Sequence, residues 1–318
     1  MKKKWSILVL SFFILFSIPF GLFTHIQERI KQNKHANRDG PYFQLFNITR
    51  FSYGGLPCIN IEIEDEQIEA EIDLGSNAGL RLASDTLGKI KRKKFVHMST
   101  SMGARGKKYQ SNCYEIPEIK LGRAKLSRLQ ADELNVEFQK DALVNPEEAD
   151  LSVFNSSKIG CTFFCFFNLY MDCKQSTIAI ADSIETLQKN GYLLDCIEIP
   201  LVVIGWEHIG LEATTESGPL RCMLDTGCTF NLLNLQEGEA FEVALLNSEN
   251  KMKIPFLKIG SQIFSEIQFY PAKVKLPIKF DAILGMEFLR SQQIFIDFSK
   301  KKIYFSVPKE NNAVNYLF

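Results

Sequence analysis

The stretch RCMLDTGCTF, residues 221–230, decides how the whole chain is interpreted. Its apolar residues 222–224 are typical of a buried strand, and they run directly into Asp225-Thr226-Gly227. Taken alone, an Asp-Thr-Gly tripeptide usually forms a turn, because the Asp bonds its own backbone and the Gly tolerates a positive φ. A chemical role for Asp225 therefore requires a partner elsewhere in the chain.

A similar element, Asp73-Leu74-Gly75-Ser76, lies 152 positions earlier. Before it, apolar and acidic residues alternate over 59–64, which predicts a half-buried strand. A turn at residues 65–67 is expected to lead into a second strand that ends at Asp73. The segment before Asp225 repeats this plan, with a turn at residues 217–219. Each Asp thus closes a predicted hairpin.

The two halves stay similar beyond these loops. Gly160 and Gly285 each follow an apolar residue and precede a short, apolar, helix-like segment. Twelve residues after each Gly comes an Asp, Asp172 or Asp297, which we interpret as a turn or strand-end carboxylate. An internal duplication explains this pattern, with insertions between fixed cores, because 87 residues separate Asp from Gly in the first half and 60 in the second.

Two further segments carry local signals. HMSTSMGARGKKYQSNCYEI, residues 97–116, predicts a long hairpin with Gly103 and Gly106 at its tip. Between the halves, residues 182–192 predict a short helix, with Asp182 or Ser183 as N-cap and Gly191 as the C-terminal stop.

Two Asp-x-Gly loops from homologous halves indicate a pair of carboxylates on a pseudo-twofold axis. Gly75 and Gly227 have no side chains, so the two loops can approach closely. Carboxylates about 3 Å apart cannot both ionise and therefore share one proton. Such a pair can activate water and polarise a carbonyl without a metal or a cofactor. The sequence does not identify which Asp is the base.

Asp225-Thr226-Gly227, together with FDAILGMEFL (residues 280–289), resembles the pepsin-like and retropepsin-like aspartic proteases. The first half resembles them more loosely, through residues 73–77 and 158–160. The resemblance covers about residues 50–306. It implies an all-β fold of two homologous acid-protease-like lobes with short helices, at residues 51–185 and 186–318. It also implies an aspartic endopeptidase with catalytic Asp73 and Asp225.

The resemblance implies supporting roles for the neighbouring residues. Thr226 is expected to hydrogen-bond across to the backbone of the opposite loop, and Leu74 cannot do the same because it has no hydroxyl. Ser76 is expected to donate to Asp73, and Cys228 to be a weaker donor for Asp225. Gly75 and Gly227 allow close approach.

The tip of the long hairpin would be the flap that closes over the substrate. Its residues are Met102, Gly103, Ala104, Arg105 and Gly106. An ordinary mobile loop is the alternative, because glycine pairs mark the tip of any hairpin.

Three hypotheses remain open from the sequence. The first is a monomeric endopeptidase that binds an extended peptide by strand-like hydrogen bonds between its lobes. The second, motivated by Leu74 and Cys228, is a peptide-binding module that has lost catalysis. The third is a homodimer of like lobes, which two dissimilar halves in one chain disfavour.

The N-terminus predicts membrane attachment. Lys2, Lys3 and Lys4 precede an uncharged apolar run of about 19 residues, which nearly spans a ~30 Å hydrocarbon core. We interpret residues 1–24 as a transmembrane signal anchor, because residues 19–24 form a poor signal-peptidase site. Residues 25–50 would be a juxtamembrane linker. The globular part is expected on the exported side, although basic residues on both sides of the run weaken this assignment.

Composition excludes other classes of function. The net charge is zero, which disfavours nucleic acid as a partner. The eight cysteines include no CxxC pair, and none of the four histidines lies in an HExxH pattern, so no metal site is expected. Buried thiols and disulfides are both compatible with the cysteine positions, and we favour buried thiols.

Overall fold

The computed structural model describes residues 42–52, 55–76, 78–102, 107–135, 137, 155–165, 167–204, 208–234, 251–272 and 280–307. The predicted anchor at residues 1–24 and the flap residues 103–106 lie outside these ranges. In the part of the chain that is described, no helix has the length and apolarity needed to cross a membrane.

The first half is built almost entirely of strands. In chain order its elements are β1 (Phe43–Asn47), β2 (Arg50–Phe51), β3 (Pro57–Ile63), β4 (Glu66–Asp73), β5 (Leu80–Leu82), α1 (Ser84–Lys89), β6 (Lys94–Met102), β7 (Lys108–Leu121), β8 (Ala124–Glu133), β9 (Ser157–Gly160), α2 (Cys161–Phe164), β10 (Asn168–Asp172) and β11 (Thr177–Ala181).

The second half has the same plan. Its elements are α3 (Ile184–Lys189), β12 (Cys196–Pro200), β13 (Val202–Ile204), β14 (His208–Thr215), β15 (Gly218–Leu224), β16 (Leu232–Asn234), β17 (Met252–Ile259), β18 (Gln262–Ala272), β19 (Ala282–Leu284), α4 (Met286–Leu289), β20 (Gln293–Asp297) and β21 (Lys302–Ser306). The prediction of a mostly β protein with two lobes and short helices is confirmed.

The hairpins before the two Asp residues form as predicted, but each turn begins one residue earlier. Ile59, Ile61 and Ile63 of β3 are buried, as their alternation predicted. Glu64 and Asp65 make the turn, with φ values of 51° and 68°. Positive φ at both central positions is the geometry of a type I′ turn, which two-residue hairpins favour. The second hairpin turns at residues 216–217.

Each half forms a barrel-like lobe, and the same set of strand pairings occurs at the centre of both lobes. In the first lobe β4 and β9 pair in parallel, β5 pairs antiparallel to β9, and an additional pairing of β3 with β7 closes the eight-stranded sheet. In the second lobe β15 and β19 are parallel, β16 is antiparallel to β19, and β14 pairs with β17. This arrangement brings the end of each Asp-bearing strand beside the segment in which an apolar residue precedes Gly160 or Gly285.

A six-stranded sheet joins the lobes, in the order β1-β11-β10-β20-β21-β12. Its central pair consists of β10 from the first half and β20 from the second, with Tyr170 opposite Phe295. Both side chains are buried. β1 lies within residues 25–50, which were predicted to be linker; the structure instead pairs β1 with β11.

The conserved geometry of the duplication extends to the turns after β10 and β20. Asp172 Oδ1 accepts from Gln175 N at 3.1 Å, and Asp297 Oδ1 accepts from Lys300 N at 2.8 Å. Both carboxylates therefore close turns, as predicted. Helix α3 begins after Ser183, whose Oγ accepts from Thr186 N at 3.2 Å. None of the eight cysteines forms a disulfide, and six of them are buried.

Candidate active site

Asp73 and Asp225 occupy equivalent positions in the two lobes. Asp73 is the last residue of β4, and Asp225 directly follows β15. The chain after each Asp is anchored in the same way. In the first lobe, the backbone N–H of Cys161, at the start of α2, donates to Ser76 O at 2.9 Å. In the second lobe, the backbone N–H of Met286, at the start of α4, donates to Cys228 O at 2.7 Å. The two loops therefore have matching supports.

Each Asp packs against the glycine of the opposite loop. A Cβ added to Gly75 would lie 2.2 Å from Asp225 Cγ, and a Cβ added to Gly227 would lie 2.3 Å from Asp73 Oδ1. Both distances are far shorter than van der Waals contact. The structure thus brings the two Asp-x-Gly loops together, and only glycine fits at either position.

Backbone N–H groups hold both carboxylates. Asp225 Oδ1 accepts from Gly227 N at 2.7 Å and, across the lobes, from Gly75 N at 3.1 Å. Asp73 Oδ1 accepts from Ser76 N at 3.0 Å. One carboxylate is therefore held by both lobes and the other by its own loop.

Thr226 links the loops through its side chain. Its Oγ1 accepts from Leu74 N at 2.9 Å and donates to Ile72 O at 2.7 Å. Thr226 is fully buried, so both bonds lie away from water. Leu74 is also fully buried, and its side chain offers no hydroxyl that could return the bonds. In this link the second lobe supplies the side chain, and the first lobe supplies only backbone groups.

Two expected side-chain contacts to the carboxylates are not made. Ser76 Oγ is buried without a hydrogen-bond partner among the described residues, and the backbone of Ser76 contacts Asp73 instead. Cys228 Sγ donates to Phe230 O at 3.1 Å and not to Asp225. The hydrogen bonds that Asp225 Oδ1 accepts come instead from the backbone N–H groups of Gly75 and Gly227.

Burial and charge repulsion make Asp225 a weak acid. Burial, followed by the nearby negative charge of Asp73, raises the pKa of Asp225 to about 7. The N–H groups of Gly227 and Gly75 and the ammonium of Lys158 oppose this rise. At mildly acidic pH, Asp225 therefore carries a proton.

The sequence interpretation missed Lys158. Its Nζ lies 2.8 Å from Glu71 Oε2 and 3.8 Å from Asp73 Oδ2, and its side chain is 8% exposed. Burial lowers the pKa of Lys158, but Asp73 and Glu71 raise it more, so that the pKa is raised overall and the ammonium stays charged. A signal was present, because Lys158-Ile159-Gly160 has a lysine where the second half has Ile283.

The predicted flap is described only at its base. β6 and β7 form the predicted hairpin, and Met102 is the last residue of β6. Residues 103–106 lie outside the described ranges. Arg81, from β5, donates to Ser101 Oγ at 3.1 Å and so connects this hairpin to the strand next to β9. Among the described residues, no three His, Cys, Asp or Glu side chains form a metal-binding group.

Known protein families and curated protein sequences provide no match to the chain. Several solved structures are similar to it. Conglutin gamma, a basic 7S globulin from lupine seeds, has a TM-score of 0.55 at 11% identity, and soybean basic 7S globulin has 0.54 at 10% identity. In both comparisons the similarity covers 84% of this chain and 95% of the other. Aspartic proteinase from Irpex lacteus has a TM-score of 0.53 at 12% identity, over 86% of this chain and 99% of the proteinase.

Identities this low show similarity of fold alone. Because two of these neighbours are named as globulins and one as a proteinase, the fold is compatible with more than one function. The activity of such a protein depends on the chemistry of its site and not on its fold. The described chain has the mostly β, two-lobed fold of an acid protease.

Proposed function

We propose that the chain is an aspartic endopeptidase in which Asp73 and Asp225 together hydrolyse peptide bonds. The observation that carries this proposal is the reciprocal packing of each carboxylate on the glycine of the opposite loop. A structural turn needs a glycine beside its own Asp, but it has no need for a second Asp-x-Gly loop in contact with it.

The chemistry follows from one shared proton. The ionised carboxyl accepts a proton from a water molecule while the protonated carboxyl hydrogen-bonds the peptide carbonyl. The water oxygen bonds to the carbonyl carbon and forms a tetrahedral intermediate. Cleavage of the C–N bond, with proton transfer to the amine nitrogen, then yields a carboxylic acid and an amine. The raised pKa of Asp225 supports a single ionisation of the pair at mildly acidic pH.

The substrate we propose is an extended peptide lying between the lobes. Extended peptides bind by strand-like backbone hydrogen bonds, with side chains directed alternately to either side. The β6–β7 hairpin, with flap residues Met102, Gly103, Ala104, Arg105 and Gly106, would cover it. We take the monomer as the catalytic unit, because one chain carries both Asp-x-Gly loops.

The test is cleavage of a peptide library by full-length protein in detergent over pH 3 to 8, with Asp73→Asn and Asp225→Asn as matched variants. We expect either change to abolish cleavage while the circular dichroism spectrum is kept. Full cleavage by either folded variant would refute the proposal.

A second candidate is a peptide-binding protein without turnover, and the buried Leu74 favours it. Because Leu74 has no hydroxyl, the link made by the Thr226 hydroxyl is not returned from the first lobe, and the two carboxylates are held less firmly than in a pair with a threonine on both sides. Binding without cleavage in the wild type, and no cleavage after Leu74→Thr, would support this candidate.

We also propose that residues 1–24 anchor the chain in a membrane, with residues 25–50 leading to the lobes on the exported side. The support is the apolar run that follows Lys2, Lys3 and Lys4. Resistance of the expressed protein to extraction by alkaline carbonate tests the anchor, and protease accessibility in spheroplasts tests the side. Release by carbonate would refute the anchor.

A further inference from the structure

The two lobes differ most in one row of side chains beside the Asp residues. Glu71 of β4, Lys158 of β9 and Arg81 of β5 are register partners on neighbouring strands. Register partners direct their side chains to the same face of a sheet. Glu71 and Asp73 are two residues apart on β4, so they share that face as well. All three members of the row are buried.

The equivalent row of the second lobe is apolar. Met223 of β15 pairs with Ile283 of β19, and Ile283 pairs with Leu232 of β16. These three side chains pack in one hydrophobic cluster with Phe280. The charged row therefore replaces an ordinary apolar core, and packing alone gives no reason for that replacement.

The charged row has a net positive charge, and that charge faces Asp73. Lys158 Nζ is 2.8 Å from Glu71 and 3.8 Å from Asp73. Arg81 also interacts electrostatically with Asp73, and its guanidinium stays protonated even though burial lowers its pKa. One anion and two cations stand beside Asp73, whereas the apolar row stands beside Asp225.

Among the other charged groups around the pair, Asp132 offsets part of the charge of Arg81, and Lys158 acts on Asp225 as well as on Asp73, but more strongly on Asp73. Asp132 of β8 interacts with Arg81, Cys161 of α2 with Asp73, and Cys228 with Asp225. Glu287 of α4 acts on Cys228. Burial raises the pKa of Cys228, and a hydrogen bond with Cys165 together with burial raises that of Cys161, so both thiols are neutral.

We propose that the row Glu71–Lys158–Arg81 breaks the symmetry of the pair, placing the negative charge on Asp73 and the proton on Asp225. The inference rests on the proposed catalytic pair and adds a direction to it: Asp73 would accept the proton of the water, and Asp225 would hydrogen-bond the substrate carbonyl. Lys158 and Glu71 act through Asp73, so they are positioning residues. The chemical step itself is unchanged by this assignment.

The signs of the expected effects follow from charge. Lys158→Met removes the cation nearest Asp73, so the pair should lose its first proton at a higher pH, by about one unit. Glu71→Gln leaves Lys158 without its anion, so the same ionisation should move to a lower pH. Lys158→Arg keeps the charge and should keep the midpoint. The double variant Glu71→Gln/Lys158→Met should lie between the two single variants.

The experiment is a pH titration of the carboxyl carbons by ¹³C NMR, with aspartate-labelled full-length protein and Asp73→Asn and Asp225→Asn for assignment. At pH 5.5 the wild type should show Asp73 ionised and Asp225 protonated. In Lys158→Met the proton should be shared more evenly. Lys120→Met, which breaks the ion pair of Lys120 with Glu62 on another part of the first lobe, is the control and should leave the titration unchanged.

The proposal is overturned if Lys158→Met and Glu71→Gln move the midpoint in the same direction, or if neither moves it in folded protein. If Lys158→Met does not fold, the difference in titration midpoint between Glu71→Gln and the double variant measures the effect of the Lys158 charge. The limbs of the pH profile of kcat/KM should shift with the NMR midpoints. Because the titration needs no turnover, the predicted shifts in a protein that cleaves nothing would support this inference and refute the proposed function.

Discussion

Leu74 N donates to Thr226 Oγ1 at 2.9 Å, although 152 positions separate the two residues in the chain. Thr226 Oγ1 in turn donates to Ile72 O at 2.7 Å. One buried hydroxyl thus satisfies a donor and an acceptor of the opposite lobe. No equivalent hydroxyl exists on Leu74, so the contact between the loops depends strongly on Thr226.

Replacement of Thr226 by Val should destabilise the protein while preserving its shape. The change leaves Leu74 N and Ile72 O buried without this partner, which is expected to lower the free energy of unfolding by about 1–3 kcal/mol. Urea denaturation measures this loss. Thr177→Val is the matched control, since the Thr177 hydroxyl bonds a nearby carbonyl at an exposed site. Equal losses in the two variants would contradict the role given to Thr226.

Replacement of Gly227 by Ala should reduce peptide cleavage by about 100-fold. The new methyl group would lie 2.3 Å from Asp73 Oδ1, so the Asp73 carboxylate or the loop must move. A displacement of about 1 Å in a catalytic group can reduce the rate about 100-fold. Steady-state kinetics on a cleaved peptide checks this expectation.

The control for that change is Gly88→Ala in α1, where an added Cβ meets no atom within 4 Å. Alanine should stabilise this helix by about 0.5–1 kcal/mol and leave cleavage unchanged. If Gly227→Ala retained wild-type kcat/KM, the close packing of Gly227 on Asp73 would have no bearing on activity.

The stability of the protein should depend on pH through Asp225. Its pKa is about 7 when folded and about 3.9 when unfolded, so the folded state binds more protons between these values. The contribution of Asp225 to stability is therefore largest below pH 4 and declines as pH rises towards 7, by at most about 1.4 kcal/mol per pH unit.

Urea denaturation of the wild type and Asp225→Asn at pH 4, 5.5 and 7 measures this contribution together with its coupling to Asp73, because the other titrating groups are common to both proteins. The wild type should lose stability relative to the variant as pH rises. A constant difference across the series would show that Asp225 has no raised pKa.

The sheet that joins the lobes should be a major source of stability. Phe295 is fully buried, and its ring lies 6.0 Å from that of Tyr304 within a shared core. Phe295→Ala should therefore cost about 3–5 kcal/mol. Thermal unfolding provides the measurement, and Phe51→Ala, at a side chain that is 41% exposed, should have little effect. Similar shifts in melting temperature would contradict the assignment.

Local patterns predicted the elements of the fold well. The alternation of Ile59, Ile61 and Ile63 was enough to predict β3, and Ser183 was enough to predict where α3 begins. Both features are determined by residues that are neighbours in the chain. The repeat at Gly160 and Gly285 predicted two equivalent lobes. The hairpin turns were displaced by one residue, since register depends on the pairing of the strands as well as on the turn.

Side-chain partners were predicted less well. Ser76 and Cys228 both have donors at the expected positions in the chain, yet neither side chain contacts an Asp. Donor direction depends on the rotamer and on which backbone N–H groups already occupy the acceptor. The charged row was missed for a related reason, because a single lysine before Ile159-Gly160 does not reveal that Glu71 and Arg81 lie on either side of it.

The sequence by itself determined that this chain has two Asp-x-Gly loops, each placed after a hairpin and before an apolar residue that is followed by a glycine. That information is local and is repeated in both halves. Only the tertiary structure decided that Gly75 meets Asp225, that Gly227 meets Asp73, and that Lys158 lies 3.8 Å from the Asp73 carboxylate. Those relationships arise from strands that pair across 60 to 150 residues of chain, where electrostatic and steric effects depend on distances in space.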